Sequence, residues 1–168
     1  MTIRIRSAAR ADAGLILAFI KELAAYEKLS GDVIATEALL RDTLFGPGAT
    51  AEVIIAEADG RPAGFALFFH NYSTFLARPG IYLEDLFVRP EFRSRRIGRA
   101  LLAHIARLAR ERRCGRLEWS VLDWNEPAIG FYRTLGATPM DEWTTFRLSG
   151  DKLNDLADLM PPASGECP

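Results

Sequence analysis

The segment from Tyr82 to Leu102, YLEDLFVRPEFRSRRIGRALL, restricts the chain to folds in which a strand feeds a basic turn and the turn opens a helix. An apolar run (Leu83, Leu86, Phe87, Val88) stops at Arg89-Pro90, and Arg93, Arg95, Arg96 and Arg99 then crowd around Gly98. Beyond the turn, Ile97, Leu101, Leu102, Ile105 and Leu108 recur at helix spacing. In such a strand–turn–helix, free backbone N–H groups and the positive end of the helix dipole converge on one point. The ligand this arrangement suits is a phosphate.

Charge sharpens the expectation. The formal net charge is −1, yet residues 89–116 carry ten arginines against Glu91 and Glu111, a balance of +8 that leaves −9 for the rest. One basic stripe on an otherwise acidic protein suits a specific polyanion better than general affinity for nucleic acid. The stripe also lacks interleaved aromatics for base stacking. Arginines 107–116 have a plainer reading as the solvated face and C-terminal end of a helix, where cations complement the dipole. A P-loop is excluded by the missing Gly-Lys-Ser/Thr. At 168 residues the chain fits one domain with a substantial core, expected over 1–160 with a frayed tail at 161–168. No apolar run approaches the roughly 20 residues of a membrane span, and the opening MTIRIRSAAR lacks the apolar core of a signal peptide. Cys114, Cys167, His70 and His104 show neither disulfide nor metal-ligand spacing. The expectation is a cytoplasmic protein that takes no metal, membrane or nucleic acid.

Alternation predicts strands at Thr2–Arg6, Glu52–Glu57, Ala63–Phe69, Ile81–Val88, Leu117–Leu122 and Thr144–Leu148. Asp59-Gly60 is a hairpin signal between the second and third. Helical spacing predicts Ala11–Tyr26, a short helix capped by Thr36, Gly98–Arg113, Pro127–Leu135 stopped by Gly136, and Asp151–Leu159. The order describes one mixed α/β layer whose central crossover helix lies between parallel strands.

That order and the 82–102 motif resemble the GCN5-related N-acetyltransferases, the GNAT superfamily, whose signature Arg/Gln-x-x-Gly-x-Gly/Ala reads here Arg93-Ser94-Arg95-Arg96-Ile97-Gly98. Arg96 stands where a glycine is usual; it either keeps an amide contact with its side chain outward or itself grips a phosphate. IKELAAYEKL (20–29), YLEDLFV (82–88) and WNEPAIGFYRTLGA (124–137) are similar to the spermidine/spermine and thialysine acetyltransferase branch. The resemblance implies a mixed, mostly antiparallel sheet of six to seven strands, splayed centrally and flanked by about four helices. It implies acetyl-CoA as donor cosubstrate, a small primary amine as acceptor, direct transfer in a ternary complex without metal, and a homodimer. Leu86, Phe87 and Val88 would offer backbone groups to the pantetheine arm. Arg93, Ser94, Arg95, Arg96, Ile97, Gly98 and Arg99 would hold the pyrophosphate, and Asn125 and Ala128 would contact the cofactor.

The resemblance makes Tyr132 the general acid. A phenol of pKa about 10 can protonate a thiolate whose thiol has a pKa of about 8.5 as it departs. It makes Glu84 the base. An alkylamine of pKa about 10.4 costs about 4.6 kcal/mol to deprotonate at pH 7, so a carboxylate, directly or through water, must take that proton. Strand alternation puts Glu84 and its neighbour Asp85 on opposite faces, so only one can look into the cleft. Tyr26 and Glu27 match positions lining the amine pocket, with Trp119 and Trp124 near the cleft. Polyamine acetylators carry a denser acidic patch just beyond; here Lys28, Ser30 and Gly31 replace it and leave Asp32. The expected acceptor is therefore a short diamine or a lysine-like amino acid in preference to a polyamine. Rival readings are a protein or peptide acetyltransferase and a non-catalytic acetyl-CoA-binding protein.

Overall fold

Alternating apolar positions in the first three-quarters of the chain close into a five-stranded sheet, ordered β1-β2-β3-β4-β5. A computed structural model describes residues 1–159; the tail expected at 161–168 lies outside the described residues. The strands are β1 (Ile3–Ser7), β2 (Ala51–Ala58), β3 (Arg61–Ser73), β4 (Arg78–Val88) and β5 (Leu117–Trp119). Helices α1 (Ala13–Glu27), α2 (Glu37–Phe45) and α3 (Ile97–Glu111) share their unit, which spans residues 1–125. Strands β1 to β4 pair antiparallel with their neighbours, whereas β5 runs parallel to β4, as the crossover through α3 requires. No helix among the described residues is long and apolar enough to cross a membrane.

Several local signals act as the sequence indicates. Asp59 and Gly60 both take positive φ (49° and 77°), the turn that matches strand twist in a two-residue hairpin. The Thr36 hydroxyl accepts from the Leu39 N–H at 3.2 Å and caps α2. Arg6 bonds both oxygens of Asp12 (2.7 and 2.9 Å) and one of Glu57 (2.8 Å), fastening β1 to β2 and to the entry of α1. Those bonds hold the Asp12 carboxyl below its ordinary range.

The core has two faces. On one, Phe19 of α1 stacks on Phe65 of β3 (centroids 5.3 Å apart) and meets Phe87 of β4 edge-on at 6.4 Å, among buried Ile16, Leu40 and Ile55. On the other, α3 covers the sheet and buries Ile97, Leu101 and Ile105.

Residues from Glu126 onward make a second unit, with α4 (Glu126–Thr134) and α5 (Asp151–Ala157). The strand expected at Thr144–Leu148 is not formed: no described residue ladders with it, and Phe146 is 91% exposed. β-Propensity reflects packing on a pleated surface more than an intrinsic backbone preference, so the composition of TTFRL does not by itself make a strand. Among the described residues the sheet therefore has five strands instead of six to seven, and the chain has five α-helices instead of about four.

Candidate active site

Strand β4 is laddered along its whole length to β3 but only over Ile81–Leu83 to β5, through the pairs Ile81–Leu117, Tyr82–Glu118 and Leu83–Trp119. Beyond Trp119, which marks the vertex, β5 has ended and Glu84–Val88 lack a strand neighbour on that side among the described residues. The Arg89 N–H bonds Ala63 O on the β3 side at 2.9 Å, so across that trans peptide the Val88 carbonyl points into the opening. Peptide groups alternate along a strand, hence Leu86 and Val88 face the opening while Phe87 turns toward β3. Gly64 is where Phe87 comes closest: a Cβ built there would sit 2.3 Å from the Phe87 carbonyl oxygen. The open groups are what an extended amide-bearing chain needs for pairing.

The register of β4 shifts beside its acidic pair. Phe68 pairs with Leu83 and Leu67 with Asp85, leaving Glu84 as an extra residue, a β-bulge. Before the bulge Leu83 is 2% exposed on its face; after it, Asp85 falls on the face of Phe65 and Phe87, toward α1. Strict alternation would have put Asp85 with Leu83. The alternation that would set Glu84 and Asp85 on opposite faces is interrupted here by the bulge. Burial, with Glu84 and then Glu27 adding repulsion, pushes the Asp85 carboxyl up to about 6. Burial also raises Glu27 above its ordinary value. Glu84 is exposed. The resemblance selects Glu84 of this pair, and the structure adds Asp85 as a second candidate. Two consecutive acids inside an apolar strand were the available signal.

The basic turn follows. Pro90–Phe92 forms one 3-10 turn, with Phe92 buried under the guanidiniums of Arg61 and Arg95. Ser94 (φ 60°) and Arg96 (φ 65°) both adopt the left-handed conformation, which for side-chain-bearing residues costs on the order of 1 kcal/mol or more. Arg96 is the N-cap of α3 without a side-chain cap bond, and the first N–H groups of α3 at Ile97, Gly98 and Arg99 are of the kind a helix leaves unpaired. The stripe divides: Arg89 pairs with Glu22, Arg107 with Glu111, Arg112 with Glu52 and Arg116 with Glu118. Arg95, Arg96 and Arg99 have no ion pair among the described residues. Arg93, though exposed, folds back over the opening, its Nε donating to Val88 O at 3.0 Å and its guanidinium lying 4.5 Å over the Tyr26 ring.

On the α1 side the Tyr26 hydroxyl donates to Asn125 Oδ1 at 3.1 Å, and Asn125 is 7% exposed. Tyr26 also meets Trp124 at 5.9 Å, and the Lys28 ammonium sits 5.5 Å over that indole. Tyr26, Glu27, Asp85, Asn125 and the Leu86–Val88 edge thus belong to one neighbourhood. Ala128 and Tyr132 lie on α4, where Tyr132 contacts Phe131 at 5.4 Å. A separate cavity of about 240 Å³, bordered by Ser7, Phe45, Glu52, His104 and Arg112, shares no residue with this neighbourhood.

The chain is similar to known proteins. The model of the acetyltransferase (GNAT) family matches residues 19–137. A thialysine N-epsilon-acetyltransferase of Sus scrofa is 39% identical, across 93% of this chain and 98% of its own length. An L-ornithine N5-acetyltransferase of Arabidopsis thaliana is 33% identical, across 93% and 88%. The solved structure of an integron cassette protein from the mobile metagenome of V. cholerae superposes with a TM-score of 0.79 at 28% identity, covering 94% of this chain and 98% of the other. With the family model matched over residues 19–137 and a relative 39% identical over nearly its full length, this chain is an acetyltransferase of the GNAT family.

Proposed function

We propose that the protein transfers an acetyl group from acetyl-CoA to the terminal amine of a small amino acid of the lysine or ornithine type. The observation that carries this reading is the open half of β4 running directly into the N-terminal turn of α3. Leu86 and Val88 hold the pantetheine arm through their outward backbone groups. The amides of residues 94–99, with Arg95, Arg96 and Arg99, hold the diphosphate. Bound there, the thioester supplies the activated acetyl group. Asp85 takes the proton that an ammonium must lose, helped by a carboxyl pKa of about 6 that matches operation near neutral pH. Exposed Glu84 acts as its electrostatic neighbour and as the relay to water. Tyr132 donates to the departing thiolate, a role that rests on the match of residues 124–137 to the family. Ala128 and Asn125 line the cofactor side by the same match; Trp119 and Tyr26 line the acceptor side.

The amino-acid acceptor draws support from two sources. The curated relatives named above carry thialysine and ornithine in their names. The end of α1 carries the Lys28 ammonium directly after Glu27, a cation that suits an α-carboxylate and repels the second ammonium of a polyamine. The rings of Tyr26 and Trp124 are already covered by Arg93 and Lys28, which leaves carboxylates to receive the acceptor amine. The enzyme works in the cytosol as a homodimer of one catalytic domain, residues 1–160; exposed Tyr72, Phe75 and Leu76 at the β3–β4 tip suit burial against a second copy. A thiol-release assay over lysine, ornithine, thialysine, short diamines, spermine and a peptide tests the reading. Amino acids turn over fastest, and Tyr132→Phe lowers kcat by about 100-fold. Spermine or the peptide as the best acceptor contradicts it, and acetyl-CoA binding without thiol release from any acceptor establishes a binding protein.

A further inference from the structure

The opening beside β4 has no backbone ladder to set its width, because β4 and β5 part after Leu83 and Trp119. Side chains must hold its walls in register. We propose that Arg93 is the positioning residue that does so, bracing the acceptor face of α1 against the open strand, and that phosphate binding is left to its neighbours. The inference rests on the acetyl-transfer reading above and deepens it.

Three contacts define the brace. The Arg93 Nε–H meets the Val88 carbonyl at 3.0 Å, the carbonyl that points into the opening. The guanidinium lies 4.5 Å over Tyr26 near the end of α1 and 5.9 Å from Phe87 on β4. Tyr26 in turn donates to buried Asn125, in the segment that leaves β5. The sequence Val88–Arg93–Tyr26–Asn125 therefore links β4, α1 and the chain beyond β5. Only arginine performs this task, since a planar guanidinium donates along its edge while stacking by its face, and an ammonium cannot do both. The backbone is committed too: the Arg93 N–H bonds Pro90 O at 3.2 Å, so it is not one of the amides offered to an anion. Meanwhile the next residues supply what a diphosphate requires, two left-handed positions and the unpaired start of α3.

The brace predicts that losing Arg93 harms the acceptor side and spares the donor side. Arg93→Lys keeps the charge and is the variant of choice; a matching melting curve verifies its fold. Calorimetry should find its acetyl-CoA Kd within about threefold of wild type, with the same slope against salt. Steady-state kinetics should find the KM for the amine raised about tenfold and kcat reduced. Hydrogen exchange should quicken at Tyr26–Leu29 and at Trp124–Asn125, a readout that needs no turnover. A Kd weakened tenfold or more with a shallower salt slope, and an unchanged amine KM, would make Arg93 a phosphate ligand and overturn the proposal. Unchanged exchange at those two segments overturns it as well. Failure of wild-type protein to bind acetyl-CoA would instead sink the acetyl-transfer reading, and the exchange comparison would still decide the brace.

Discussion

Two halves of strand β4 obey different rules. From Ile81 to Leu83 it is laddered on both sides, and Ile81 and Leu83 are 0% and 2% exposed. From Glu84 to Val88 it is laddered on one side only, carries the bulge, and presents carboxylates and outward peptide groups. The closed half gains its stability from apolar burial; the open half gives up a row of hydrogen bonds and buries a carboxyl near two others. The proposed chemistry falls where the sheet stops satisfying itself.

The comparison breaks most sharply at Asp85. Replacing it by asparagine should lower kcat/KM by about 100-fold or more, whereas Glu84→Gln should cost about tenfold or less. The reverse ranking would return the base to Glu84. Wild-type kcat/KM should also rise through a limb near pH 6, as Asp85 loses its proton. The same group predicts an opposite trend in stability. Its folded pKa, about 6, lies above the ordinary 3.8, so the folded state favours the protonated form and stability falls as pH rises through that interval. Thermal melts should therefore show Asp85→Asn more stable than wild type at pH 8, by roughly 3 kcal/mol at most, and nearly equal to it near pH 4.

In the closed half, Leu83→Ala should reduce unfolding free energy by about 2–5 kcal/mol, read by urea titration, and leave the KM values of the folded fraction unchanged. Gly64→Ala connects the halves: its Cβ would collide with the Phe87 carbonyl, so the strands must separate. A loss of roughly 1–3 kcal/mol with a rise in acetyl-CoA KM is expected from melts and kinetics together. The smallest effect belongs to Arg96→Gly. Relief of the left-handed conformation and the added freedom of the unfolded chain nearly cancel, so melts should move by less than about 1 kcal/mol.

What could be read from the sequence was local. The strand–turn–helix of 82–102, the Asp59-Gly60 hairpin and the Thr36 cap each depend on residues within a few positions, and each formed as expected. What escaped depends on partners far along the chain. The bulge at Glu84 exists only in register with Leu67 and Phe68, so alternation alone could not tell which face Asp85 takes. The contact of Arg93 with Tyr26 joins residues that no motif links. Thr144–Leu148 has strand composition without a ladder to join, and composition cannot supply the neighbour.

The proposed acetyl-CoA site is the open half of β4 together with the turn into α3. Residue-resolved amide hydrogen exchange, with and without acetyl-CoA, tests it most directly. Protection should appear at Leu86, Val88 and residues 95–99, while Phe87 and Ile81–Leu83, already bonded, should change little. Saturating acetyl-CoA that leaves Leu86, Val88 and the start of α3 unprotected, or protects another surface instead, would contradict the account.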